Sequence, residues 1–143
     1  MKGPRTSAAD FGNPTEETQY TLCLYDGRGG TPELVSSIIL PPQNFWTSLG
    51  AKGYAYRDDT MSQDGIQRIL LKAGDSGKPK ILVQGATSTL TLPPAFSSLE
   101  LFDQSPNVTM QIGNSEGACW GASYAPLWTK RNSAESFRAK RKY

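Results

Sequence analysis

Trp46, Tyr54, Tyr56 and Trp128 are the side chains of this sequence best suited to grip a ligand. A flat aromatic face can stack on the C–H face of a sugar ring while polar neighbours bond its hydroxyls. Trp46 falls in a predicted loop, where binding groups concentrate. Tyr54 and Tyr56 share one face of a predicted strand, and Trp128 lies toward the C-terminal edge. The competing reading makes all four core or hydrophobic lid, the commoner fate of aromatics in a β-domain. Asp58, Asp59 and Asp64 crowd the polar stretch DDTMSQDG, and carboxylates beside carbonyls can hold calcium. Their spacing does not match an EF-hand loop, and turn chemistry alone accounts for Asp and Gly there. They are weak calcium candidates, and the expectation is no metal and no cofactor.

Catalytic constellations are hard to assemble from this composition. Histidine is absent, which removes His-based triads, imidazole-ligated metals and imidazole acid–base catalysis. Two cysteines are too few for a Cys-only zinc site or an iron–sulfur cluster within one chain. The acidic residues fall mostly in predicted turns and at strand ends, so no carboxylate pair is marked out for glycoside hydrolysis. Lysine would be the base for a serine nucleophile, yet no S-x-x-K motif occurs. The expectation is a non-catalytic protein.

These groups must be positioned by β-structure, because short runs of β-formers alternate with turn signals throughout. Strands are expected at Tyr20–Tyr25, Leu34–Leu40, Gly53–Arg57, Ile66–Lys72, Pro79–Gly85, Thr87–Leu92, Asn107–Ile112 and Ala118–Tyr124. Leu99–Phe102 could add another, and Gln43–Lys52 reads as a loop carrying Phe45 and Trp46. In Ile66–Lys72 simple alternation puts Ile66, Arg68 and Leu70 on one face, with Ile69 and Leu71 on the other. The fold class is therefore all-β, an antiparallel sandwich or jelly roll of seven to eight short strands. Ser133–Lys142 reads as a short C-terminal helix with Ser133 as cap and Phe137 as its single apolar anchor.

Cys23 and Cys119 sit in the first and last of these strands. They can be two buried thiols. They can also be a disulfide, worth about 4–5 kcal/mol for so long a loop, and implying a compartment outside the reducing cytosol. The disulfide is the expectation. If it joins neighbouring strands, Trp120 shares the Leu22/Leu24 face and is core. If it crosses between sheets, Trp120 points outward.

A length of 143 residues fits one domain, divided on composition into an extended leader (1–18), a β-domain (19–129) and a basic, partly helical tail (130–143). The formal charge of +2 is uneven: the tail carries +5 and the remainder −3. Nucleic acid is not an expected partner for such a body. No apolar stretch is long enough for a membrane span. Met1–Asp10 is polar and basic with no apolar h-region, so export implies a mature or trimmed form with an added Met.

The ordered set TQYTLCLYDGRG, KGYAYRDD, DGIQRILLKAGDSGKPKILVQG, VTMQIGNSEGACW and NSAESFRAK resembles an uncharacterised β-domain family of secreted bacterial proteins. That family carries LCxYD, G-[WY]-x-Y-x-D, DG-[IL]-x-x-[IL]-x-L-K-x-G and G-x-CW motifs, and the resemblance spans about residues 11–140. It implies an extracellular β-domain and supplies no activity. The family pattern includes a second cysteine pair before the G-[WY]-x-Y segment, whereas PPQNFWTSLG here has none. Packing of Phe45 or Trp46 is expected to hold that loop instead, with Cys23 and Cys119 forming their own pair. The functional expectation is an extracellular module binding polysaccharide through exposed aromatics. The alternative is a structural or assembly subunit associating through strand edges, to which the leader could add a strand.

Overall fold

A computed structural model describes residues 5–75, 78–86, 92 and 94–140. Within them lie ten strands: β1 (Tyr20–Arg28), β2 (Thr31–Leu40), β3 (Trp46–Ser48), β4 (Gly53–Arg57), β5 (Ile66–Lys72), β6 (Lys80–Gly85), β7 (Val108–Asn114), β8 (Cys119–Tyr124), β9 (Thr129–Ser133) and β10 (Ser136–Ala139). Two four-stranded antiparallel sheets run in the orders β2-β1-β7-β8 and β3-β4-β5-β6, and β9-β10 forms a separate hairpin. The architecture is all-β and sandwich-like. Most strands fall where alternation placed them. The expected strand at Thr87–Leu92 lies almost entirely outside the described residues.

Period-two burial welds the two sheets. Tyr20, Leu22, Ile38, Leu40 and Ile112 from one sheet meet Trp46, Tyr56, Ile66, Ile69, Leu71 and Ile81 from the other in a single buried cluster. Each fully buried large aliphatic contributes roughly 1.5–3 kcal/mol relative to exposure. Ile66 joins this core despite simple alternation, because the β5–β6 register slips between Ile66 and Arg68. The bulge consumes Gln67, so Ile66 faces inward with Ile69 and Leu71 while Arg68 and Leu70 stay on the opposite face. At the entry to β4, Gly53 has φ +118, and the Leu71 carbonyl lies where a side chain would project. Only glycine fits there.

Residues 5–18 of the expected leader are part of the globule. Phe11 is fully buried in the core cluster, and its carbonyl accepts a 2.6 Å bond from the Tyr20 hydroxyl. Thr6 bridges Gly74, Asn114 Nδ2 donates to the Asp10 carbonyl, and Thr18 Oγ1 donates to Glu116. A free strand for a neighbour's sheet is therefore not what residues 5–18 provide.

The expected C-terminal helix is replaced by the β9-β10 hairpin. One large apolar residue in ten gives a helix no stripe to bury, whereas the hairpin pairs its own backbone and docks through that residue. Phe137 packs edge-on against Phe102 at 4.9 Å, in a second small core with Leu101 and Val108. Leu99–Phe102 is a loop rather than a strand. Its backbone is held by Asn132, which accepts from the amides of Leu101 and Phe102 and donates to the Phe102 carbonyl.

Cys23 and Cys119 are free thiols, correcting the expected disulfide. Strand β7 lies between their strands: Cys23 pairs with Gln111, and Cys119 with Gly113. Two strand spacings of about 4.8 Å each keep them beyond the 4.4–6.8 Å Cα separation that a disulfide bridges. Because both strands belong to one sheet, Trp120 is on the core side even without the bond. It packs against the core cluster and stacks with Phe11 at 5.1 Å.

Candidate functional site

The predicted aromatic platform does not assemble on the surface. Trp46 is 7% exposed and Tyr56 1%. Trp46 packs between Tyr20 and Tyr56, its ring centroid 5.2 Å from each and edge-on to Tyr56, and its Nε1 donates to the Pro41 carbonyl. Tyr54 is half-buried against the same cluster. Trp128 is half-exposed and stands apart, in a single 3-10 turn (Pro126–Trp128) before β9. The inward placement follows from pleating: Tyr54 and Tyr56 pair with Leu71 and Ile69, the core-facing residues of β5. The stretch 43–52, expected as a loop, instead carries β3, which pairs with β4, and a 3-10 turn at Gly50–Lys52. Trp46 anchors it in the core, with Phe45 edge-on to Tyr56 at 5.7 Å.

The three aspartates do different jobs. The Asp58 carboxylate is buried and accepts four bonds, from the amide and hydroxyl of both Thr60 and Ser62. Burial alone would raise its pKa, but these donors outweigh burial and hold it at about 2. Asp59 turns outward and takes Arg57 Nε on both oxygens, at 3.0 and 3.2 Å. Asp64 sits at φ +46, in the left-handed region that turns use. Among the described residues no group of three acidic, His or Cys side chains converges to hold a metal ion. The Tyr56 hydroxyl, buried nearby, makes no hydrogen bond of good geometry. Burial first, and the Asp58 charge second, push its pKa upward.

The Asp58 turn has a consequence for the surface, because it fixes Asp59 against Arg57 at the end of β4. There a shallow groove opens, lined by Arg57, Asp59, Gln67, Arg68 and Gln84. It lies on the outer face of the β3-β4-β5-β6 sheet. Across that face the register sets Arg57 beside Arg68 beside Gln84, then Ala55 beside Leu70 beside Leu82, then Gly53 beside Lys72 beside Lys80. The charged and amide side chains are exposed, and the central Leu70 and Leu82 are half-exposed. The other sheet differs. Its outward rows carry Thr21, Cys23 and Tyr25, then Thr109, Gln111 and Gly113, then Cys119, Gly121 and Ser123, with no charge among them.

Aromatics drew the sequence reading to the inner face of β4 and past the basic residues opposite. The signal that could have found the groove was the placement of Arg68 and Lys72 at outward positions of β5, with Lys80 opening β6. Comparison with family models, curated proteins and solved structures finds no match for this chain.

Proposed function

We propose that this chain is a non-catalytic extracellular β-sandwich module that binds an extended polysaccharide across the outer face of the β3-β4-β5-β6 sheet. The observation that carries the reading is the groove at Arg57, Asp59, Gln67, Arg68 and Gln84, with half-exposed Leu70 and Leu82 in the next row of the same face. Guanidinium and carboxamide groups bond hydroxyls and carboxylates, and aliphatic side chains pack on the C–H faces of sugar rings. An open sheet face suits a polymer that passes over it. Extracellular placement rests on the motif resemblance alone, since the two thiols do not pair. Retention of the intact chain on immobilised polysaccharides tests the function. Binding weakened by Gln84→Ala, with the circular dichroism spectrum unchanged, is the expected result.

A second reading, an assembly subunit, is favoured by one observation. The uncharged outer face of β2-β1-β7-β8, with exposed Leu34 and Ile39, would meet a copy of itself without charge repulsion. Light scattering over a concentration series tests it: a monomer throughout sinks that reading.

A further inference from the structure

We infer that the polymer taken up by this face is a polyanion of the uronate class, an acidic polysaccharide. The inference rests on the open-face reading above and adds the ligand's charge.

Two like-charged pairs lie directly across strands on this face: Arg57 opposite Arg68, and Lys72 opposite Lys80. Like charges at directly opposed positions destabilise a sheet, so the fold by itself gains nothing from either pair. Of the four cations only Arg57 has a carboxylate partner among the described residues. The arrangement also runs against the chain's balance. Residues 1–129 carry nine basic and twelve acidic side chains, yet these four cations share one sheet face, with Lys52 and Lys78 in its flanking connections. An anionic ligand removes the repulsion in both pairs.

Geometry selects the class of anion. Arg68 and Lys72 are four residues apart along β5, so the two cationic pairs stand about 13 Å apart. Leu70 and Leu82 fill the interval, each half-exposed. A uronate chain matches this order: carboxylates on separated rings reach the cations, and an intervening ring lays its C–H face on the leucines. Arginine's planar fork suits a carboxylate at one end, and Gln67 and Gln84 supply hydroxyl partners beside it. Nucleic acid matches less well. A single strand binds by stacking bases on aromatics, whereas the aromatic residues of β4 pack toward the core.

Titration calorimetry of the intact chain against polygalacturonate, neutral xylan and a single-stranded oligonucleotide tests the inference. The expected result is polygalacturonate binding that falls steeply with added salt. Arg68→Gln and Lys72→Gln, exposed positions where folding is undisturbed, should each weaken it about tenfold, the loss of one charge-assisted contact. Binding to xylan equal to that of polygalacturonate, insensitive to salt and to both variants but weakened by Gln84→Ala, overturns the polyanion inference and leaves the open-face reading standing. Tighter binding to the oligonucleotide than to polygalacturonate overturns the inference too. Binding to none of the three overturns it together with the open-face reading.

Discussion

The Tyr20 hydroxyl donates a 2.6 Å hydrogen bond to the carbonyl of Phe11, joining the first long strand to the segment before it. Both residues are fully buried, so the bond is formed where neither partner can turn to water. Phe11 also packs its ring against Trp120 of β8, so a single residue of the N-terminal segment holds two strands of one sheet, β1 through its carbonyl and β8 through its side chain.

Phe11→Ala should therefore cost about 3–5 kcal/mol, the range for emptying a buried aromatic site. Urea unfolding followed by tryptophan fluorescence measures it. Removing residues 1–18 should lower Tm at least as much as the point change. An unchanged Tm after that truncation would show the segment to be a dispensable leader.

Asp58 makes stability fall with acid in a defined window. Its folded pKa of about 2 lies below the ordinary carboxylate value near 3.8. The unfolded chain thus takes up the proton more readily. The stabilisation is fully present above about pH 4 and is lost as pH falls toward 2. Thermal melts between pH 5 and 2 should show a decline that is shallower in Asp58→Asn. At pH 7 the variant should melt lower than the parent, because the amide satisfies fewer of the four donors on Thr60 and Ser62. Superimposable pH profiles for the two proteins would rule out this role.

The intervening strand β7 makes the thiol state of Cys23 and Cys119 a sharp observable. Thiol titration of denatured protein should find both cysteines reduced, and native protein should react fastest at exposed Cys119. Adding a reductant should leave Tm unmoved, and replacing both residues with Ser should shift stability by less than about 1 kcal/mol. A Tm that drops on reduction would place a bond where the strand order does not allow one.

Strand positions were legible because burial on one face writes itself as alternation, as in Val108, Met110 and Ile112 of β7. What local pattern could not carry was partnership between distant segments. Cys23 and Cys119 read as a pair from their strands alone, yet the hydrogen-bond order β1-β7-β8 is a long-range choice. The tail departs from its expected helix for a related reason. Ser133–Lys142 has helix-compatible residues, and only Phe102, more than thirty positions earlier, explains why Phe137 sits in a hairpin. Facing was lost at the β5 bulge, where one extra residue turned Ile66 inward. The candidate groove was hidden likewise, since Arg57, Arg68 and Gln84 become a row only through register.

Asn132 is the residue on which the hairpin's docking depends. Its Oδ1 accepts from the Leu101 and Phe102 amides at 3.1 Å each, and its Nδ2 donates to the Phe102 carbonyl at 2.7 Å and to Gln104 Oε1 at 3.3 Å. The same loop is gripped from its other side, where buried Asp26 accepts from the Asp103 and Gln104 amides at 2.9 Å. Asn132→Ala leaves the 101–102 backbone groups part-buried and without this partner, a loss of about 1–3 kcal/mol. Because Asp26 still holds residues 103–104, the damage should stay local. Hydrogen exchange should speed up at Leu101, Phe102 and the β9-β10 amides while β5 and β7 stay protected. Asn132→Asp keeps the acceptor and loses the donors, so it should fall between parent and Ala in both stability and exchange. Uniform acceleration across all strands would mean instead that the hairpin and the sandwich unfold as one unit.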